Sequence, residues 1–159
     1  MITWLTDTVI GKCTMTFLIS MLPVVELRLG LPYGIAIGLD YPLALLSAVV
    51  GNLLPAPFII LFIKNVLAFL RSRFHSLDGF ITKIEDRAHL KSEVVTKYGP
   101  IGLFLLVAIP LPGTGAWTGS LVAALMGMQL KKALPAIVLG VLAAAGIMTL
   151  VTFGAIHLF

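Results

Sequence analysis

The sequence predicts an all-α integral membrane protein made of two inverted repeats, each a re-entrant helical hairpin followed by a transmembrane helix, joined by a cytoplasmic amphipathic helix. Three observations lead there. The chain is 59% hydrophobic and only 11% charged, whereas soluble domains carry about a quarter charged residues. Its long uncharged runs are interrupted by Pro- and Gly-rich clusters that no straight helix accepts. Positions 89 apart also match: Pro23 with Pro112, Gly30 with Gly119, Gly38 with Gly127, and Gly51 with Gly140. Weak internal symmetry of this kind marks duplicated membrane units. One membrane domain of residues 1–159 follows, with repeat one at about 13–70, the linker at 71–97 and repeat two at about 98–159.

Residues 1–12 are short and mildly amphipathic, which predicts an interfacial helix with Trp4 at headgroup depth. No Lys or Arg occurs in the first eleven residues and no small-residue cleavage site follows, so no signal peptide is expected. Cys13 to Val25 and Leu29 to Leu39 are uncharged runs of 13 and 11 residues, each too short for a span of about 20. They read as two arms of a hairpin joined at Glu-Leu-Arg, bracketed by Pro23 and Pro32. Gly30, Gly34 and Gly38 share one helical face, a groove into which another backbone can fit. Whether such faces pack hairpins within one chain or join two chains into a homo-oligomer is not decided by spacing.

Pro42 to Ile63 is uncharged for 22 residues, enough to cross a bilayer. Asn52, Pro55 and Pro57 inside it predict a kink or break. Between Arg71 and Lys97, Leu77, Ile81, Ile84, Ala88 and Val95 recur at helical spacing with charge on the other face, which predicts an amphipathic surface helix. Its basic face suits anionic lipid or solvent. Tyr98 to Leu130 is uncharged for 33 residues with IPLPGTGAWTG in the middle. That reads as a second hairpin: an arm at Gly99–Ile109, a tip at Pro110–Gly115 and a return arm to Met128. Ala133 to Ile156 supplies a last crossing helix of 24 residues.

Charge orients the halves. Of eleven Lys and Arg, six lie between Arg71 and Lys97, and positive loops stay in the cytoplasm. The loop after the first hairpin carries Asp40 and no base, while the loop after the second carries Lys131 and Lys132. The halves are therefore expected to be inverted, in the cytoplasmic membrane, with several passes. Lys12 runs against this scheme. The same distribution excludes a nucleic-acid binder, despite a sequence pI of about 9.5.

The chemistry is expected where the tips meet. Glu26 and Arg28 are ionisable groups at membrane depth, which normally line a cavity or have partners. Apolar surroundings disfavour the charged form of a carboxylate, so Glu26 is the candidate for proton exchange. Arg28 keeps its charge, and its fork suits phosphate or carboxylate. A plain Glu26–Arg28 pair that pins the tip is the alternative. In the second tip, Thr114 and Thr118 offer hydroxyls, Gly115 offers an open backbone and Trp117 an aromatic wall. Amides at the following helix start would attract an anion. Asn52 is a further candidate for substrate contact. No dinucleotide fingerprint, HExxH or GxSxG is present, and His75 and His89 have no metal-ligand spacing, so no enzyme, cofactor or metal is expected. The lone Cys13 forms no internal disulfide.

MLPVVELRLGLPYGIAIG, AVVGNLLPAPFIILFIKN and VAIPLPGTGAWTGSLVAALMG, in that order, resemble the small multidrug export protein family over roughly Ile19 to Gly146. The resemblance implies a small prokaryotic inner-membrane protein. More distantly, the paired hairpins are similar to the DedA or VTT superfamily, which moves polyprenyl phosphate and other lipids between leaflets. That likeness implies an acidic role for Glu26 and a lipid-phosphate substrate. The superfamily's second block carries an arginine, and Pro110 to Gly127 has none; Arg28, from the other hairpin, is the substitute on offer. The expected partners are the bilayer, protons and a lipid or small-molecule substrate. Export of small cations and a non-transporting scaffold are the alternatives.

Overall fold

The computed structural model describes residues 7–111 and 113–158. Eight α-helices and a short 3-10 turn make up nearly all of the described residues, and these contain no strand. Helix α1 (Val9–Met21) starts where the Thr8 hydroxyl accepts the Gly11 amide at 3.1 Å, a standard N-cap. Trp4 lies outside the described residues. Helix α2 (Glu26–Ala36) returns alongside α1, completing the first hairpin.

The connection falls at Leu22–Val25, so Glu26 and Arg28 stand on the first turn of α2 and not in the turn itself. Pro23 has no amide to lose and suits the loop. Pro32, expected to end an arm, sits inside α2 and leaves only the Arg28 carbonyl without its helical donor. Val24 at φ 149° and Glu26 at φ 49° are the non-glycine residues with positive φ among those described. Such conformations cost about 1–3 kcal/mol each and persist where surroundings over-determine them.

Helices α3 (Tyr41–Leu53) and α4 (Pro55–Arg73) are joined through Leu54, whose φ and ψ of −57° and −43° remain helical. The expected break is a bend, because Pro55 and Pro57 fall in the first turn of α4, where the missing amides cost least. Helix α4 continues to Arg73, well past Ile63, since nothing from Lys64 onward interrupts it. After a 3-10 turn at His75–Leu77, α5 (Asp78–Tyr98) forms the amphipathic element. Arg71 ties the turn by bonding Asp78 at 2.8 Å and Glu85 at 2.9 Å. Helices α6 (Pro100–Ala108) and α7 (Ala116–Leu125) are the second hairpin, and α8 (Leu130–Leu158) ends the chain.

Packing links α1 to α3 and α6 to α8, both through glycine. A Cβ on Gly51 would run into the Phe17 carbonyl of α1, and one on Gly140 would lie 2.7 Å from Val107 Cβ of α6. Both hairpins also end alike. At Gly38 (φ 76°) the Leu39 amide bonds Gly34 O at 3.0 Å and the Gly38 amide bonds Ile35 O at 2.9 Å. At Gly127 (φ 69°) Met128 bonds Ala123 O at 2.9 Å and Gly127 bonds Ala124 O at 3.0 Å. Each is a Schellman stop, which needs a residue tolerant of positive φ. Gly30 and Gly34 pack on Ser20 and Thr16 of α1, so these two serve the hairpin itself.

Helix α7 lies against α4, and α2 also meets α8, so each hairpin leans on the other half. The interior is lined by small side chains such as Ala44, Ala48, Ala123 and Ala133, with Leu31, Leu103, Ile137 and Val141 fully buried. The outside of α4 and α8 presents Phe58, Phe62, Phe69, Leu139, Leu142 and Leu150. So large an exposed apolar surface requires an apolar surrounding. Two stretches, Tyr41–Arg73 and Leu130–Gly154, are long and apolar enough to cross a membrane.

Candidate functional site

The two tips meet side chain to backbone. Glu26 is only 3% exposed; its Oε1 accepts the Trp117 amide at 3.1 Å, and the Ala116 amide also acts on the carboxylate. These are the first two helical residues of α7, whose amides have no partner within their own helix. A side chain of the residue just before a helix usually fills that place. Here Gly115 holds that position at φ 115°, and a Cβ there would collide with the Glu26 carboxyl group. Glu26 therefore caps α7 from the other hairpin, with its charge at the favourable end of the helix dipole. The amides that the sequence offered to an external anion are taken by this carboxylate.

Arg28 also reaches across. Its Nη2 donates to Thr114 Oγ1 at 2.8 Å. The Thr114 hydroxyl lies 2.7 Å from Ile109 O and 2.8 Å from Leu111 O and accepts the Leu111 amide at 3.2 Å, which folds the second tip around it. Trp117 Nε1 donates to Met21 O at 3.0 Å, satisfying a carbonyl at the end of α1. Among the described residues, no ion pair within 4 Å joins Glu26 to Arg28. Each bonds instead to the opposite hairpin.

Beside these contacts lies a cavity of about 510 Å³, within the roughly 300–1,000 Å³ usual for small-ligand sites. Glu26, Arg28, Thr114, Trp117 and Thr118 line it, while α4 contributes Ile59, Ile63 and Leu67. Gly115 stands behind the carboxylate. Asn52 is not part of it: this residue is 3% exposed in α3, with its Oδ1 unpartnered.

Two charged lining residues are not among the sequence's candidates. Arg87 and Lys91 of α5 face the cavity with Phe80, Ile84 and Ala88, and the Lys91 ammonium donates to Gly113 O in the second tip. Partial burial, together with the neighbouring Arg28 and Arg87 guanidiniums, pushes the Lys91 ammonium below the usual lysine range. The signal was present in the spacing of 80, 84, 87, 88 and 91, which is one helical face. In the sequence alone that face suits lipid or solvent, because nothing local shows that α5 packs against the hairpin tips.

Apolar helices of membrane-crossing length, an apolar exterior and polar contacts buried between two helical hairpins define a helical membrane protein. The family model described as "Putative small multi-drug export protein" matches residues 26–147, so the chain belongs to that family. The matched stretch opens on Glu26 and holds both tips' contacts except those made by Met21. No curated protein and no solved structure matches the chain.

Proposed function

We propose that the protein is a multi-pass transporter of the cytoplasmic membrane that moves a lipid-linked phosphate or similar amphiphile between leaflets, through a midplane site between two re-entrant hairpins of inverted repeats. The carrying observation is the cross-hairpin pair of contacts, Glu26 to the start of α7 and Arg28 to Thr114, beside a cavity whose α4 wall is apolar. A ligand seated there touches both halves at once, which is what alternating access needs.

The repeat reading gains support from the matched stops at Gly38 and Gly127 and the matched close approaches at Gly51 and Gly140. Lys12, which opposed the charge-based orientation, has a local reason: its Nζ donates to Gly38 O at 3.4 Å, at the carbonyl end of α2. In this reading Glu26 exchanges protons. Protonation removes the charge that caps α7 from the other hairpin and loosens the contact between the tips. Catalysis of a reaction is no part of the proposal.

Vesicles carrying the reconstituted protein, given a polyprenyl phosphate and a quaternary ammonium in parallel, test it. Movement of the phosphate, lowered in Glu26→Gln, is the expected result. Movement of the ammonium alone would favour export of small cationic drugs or solutes. If neither moves, and Glu26→Gln and Arg28→Ala alter only folding, the protein is a scaffold.

A further inference from the structure

We infer that Arg87 and Lys91 of α5 join Arg28 of α2 in a three-cation site that binds a headgroup carrying two negative charges, of the phosphate-monoester type. This deepens the transporter reading and rests on it for the site, but it concerns binding, which is measured separately from movement.

The charge balance at the cavity is uneven. Three cationic side chains line it against one carboxylate, and Glu26 already accepts amides of α7. Among the described residues, the ion pairs within 4 Å are both made by Arg71, near the end of α4, with Asp78 and Glu85 of α5. Arg28 and Lys91 spend hydrogen bonds on neutral oxygens, Thr114 Oγ1 and Gly113 O, and Arg87 makes none among the described residues. Like charges held together without a counterion repel, and Lys91, whose ammonium is lowered first by burial, is lowered further by Arg28 and Arg87. An anion relieves the repulsion. A phosphate monoester offers about −1.5 to −2 charge at neutral pH and three acceptor oxygens, one for each of the three side chains. The rest of the wall is hydrocarbon from α4 and α5, such as Ile63 and Ile84, which suits an attached alkyl chain.

Because α5 is the amphipathic helix between the repeats, it acts here as a wall of the site and supplies two of the three charges.

The experiment is calorimetric binding to the full-length protein in neutral detergent, with dodecyl phosphate, its methyl ester, inorganic phosphate and dodecyltrimethylammonium as probes. Dodecyl phosphate is expected to bind more tightly at pH 8 than at pH 5, following its second ionisation near pH 6. It should also outbind the singly charged methyl ester. Arg87→Gln should weaken it roughly tenfold or more, the usual size of one charge-assisted hydrogen bond, without lowering the thermal midpoint of the unliganded protein, because Arg87 makes no hydrogen bond among the described residues and its loss eases the repulsion on Lys91. Lys91→Gln also loses the Gly113 contact, so Lys91→Arg is the folding control. Inorganic phosphate binding as tightly as dodecyl phosphate would keep the three-cation site and assign it a free ion; a clear preference for the dodecyl ester assigns it a lipid headgroup. Unchanged affinity in Arg87→Gln, or tighter binding of the trimethylammonium, overturns the inference, even if vesicle transport succeeds.

Discussion

The two hairpins are alike at their feet and unlike at their tips. Gly38 and Gly127 stop the return helices with the same pair of hydrogen bonds, and Gly51 and Gly140 admit the outgoing arms at the same relative place. At the tips the resemblance ends. The first carries both charges and forces positive φ on Val24 and Glu26, whereas the second carries none and gives positive φ to Gly113 and Gly115. One tip brings charged side chains under strain and the other the relaxed backbone that receives them, and neither tip is satisfied alone.

The largest expected effect comes from spoiling the receiver. Gly115→Ala adds a Cβ that strikes the Glu26 carboxyl group and strains a backbone at φ 115°. It should cost about 3–5 kcal/mol, as for other losses of a buried charge's partners, measured by unfolding in detergent. Gly113→Ala meets only the flexible end of Lys91, so its cost should be clearly smaller. Equal losses would mean that positive φ alone matters and that the carboxylate does not need its cradle.

Next in size is the carboxylate. Glu26→Ala leaves the first amides of α7 unpaired in the interior and should cost about 3 kcal/mol. Glu26→Gln keeps an acceptor for Trp117 and should cost about 1–2 kcal/mol. If the two variants are equally stable, Glu26 is not the cap of α7.

How much of this was legible in the sequence depends on distance along the chain. The arms and the bend at Pro55 are local, and Pro announces them through backbone sterics, whereas Gly38 and Gly127 show in the sequence as small-residue and matching positions and their role as helix stops comes from their positive φ. The prominence of Glu26 and Arg28 was legible too, because charge in an apolar chain is costly. Their partners were not: Thr114 and Trp117 lie 86 and 91 residues away, and only packing brings them near. Asn52 stands beside the bend between α3 and α4, as its polarity suggests, and is not among the residues that line the cavity. Arg87 and Lys91 were lost because an amphipathic pattern says which residues share a face and not what that face meets.

The scaffold pair offers a smaller contrast. Gly51→Ala pushes against the Phe17 carbonyl, which is main chain and cannot rotate away. Gly140→Ala meets the Val107 side chain first, with Phe104 O at 3.1 Å. Both should destabilise within the range of about 1–3 kcal/mol for overpacking, with Gly51→Ala the worse. The reverse order would show that α6 is the less yielding arm.

The smallest effect separates the lysines at the feet. Lys12 Nζ reaches Gly38 O at 3.4 Å, while Lys64 Nζ lies 3.9 Å from where a Gly127 Cβ would stand. Each places a cation near the carbonyl end of a return helix, worth about 0.3–1 kcal/mol. Lys12→Met should lose that amount, and Lys64→Met should lose less, because no hydrogen bond to Gly127 accompanies its position. Thermal midpoints of the two variants at low and high salt make the comparison. A screened electrostatic contribution shrinks as salt rises, so a Lys12→Met loss that is independent of salt would assign Lys12 to packing and remove its explanation as a capping charge. Lys12 would then stand again as evidence against an outward-facing first hairpin, since only its use at Gly38 frees it from the positive-inside rule.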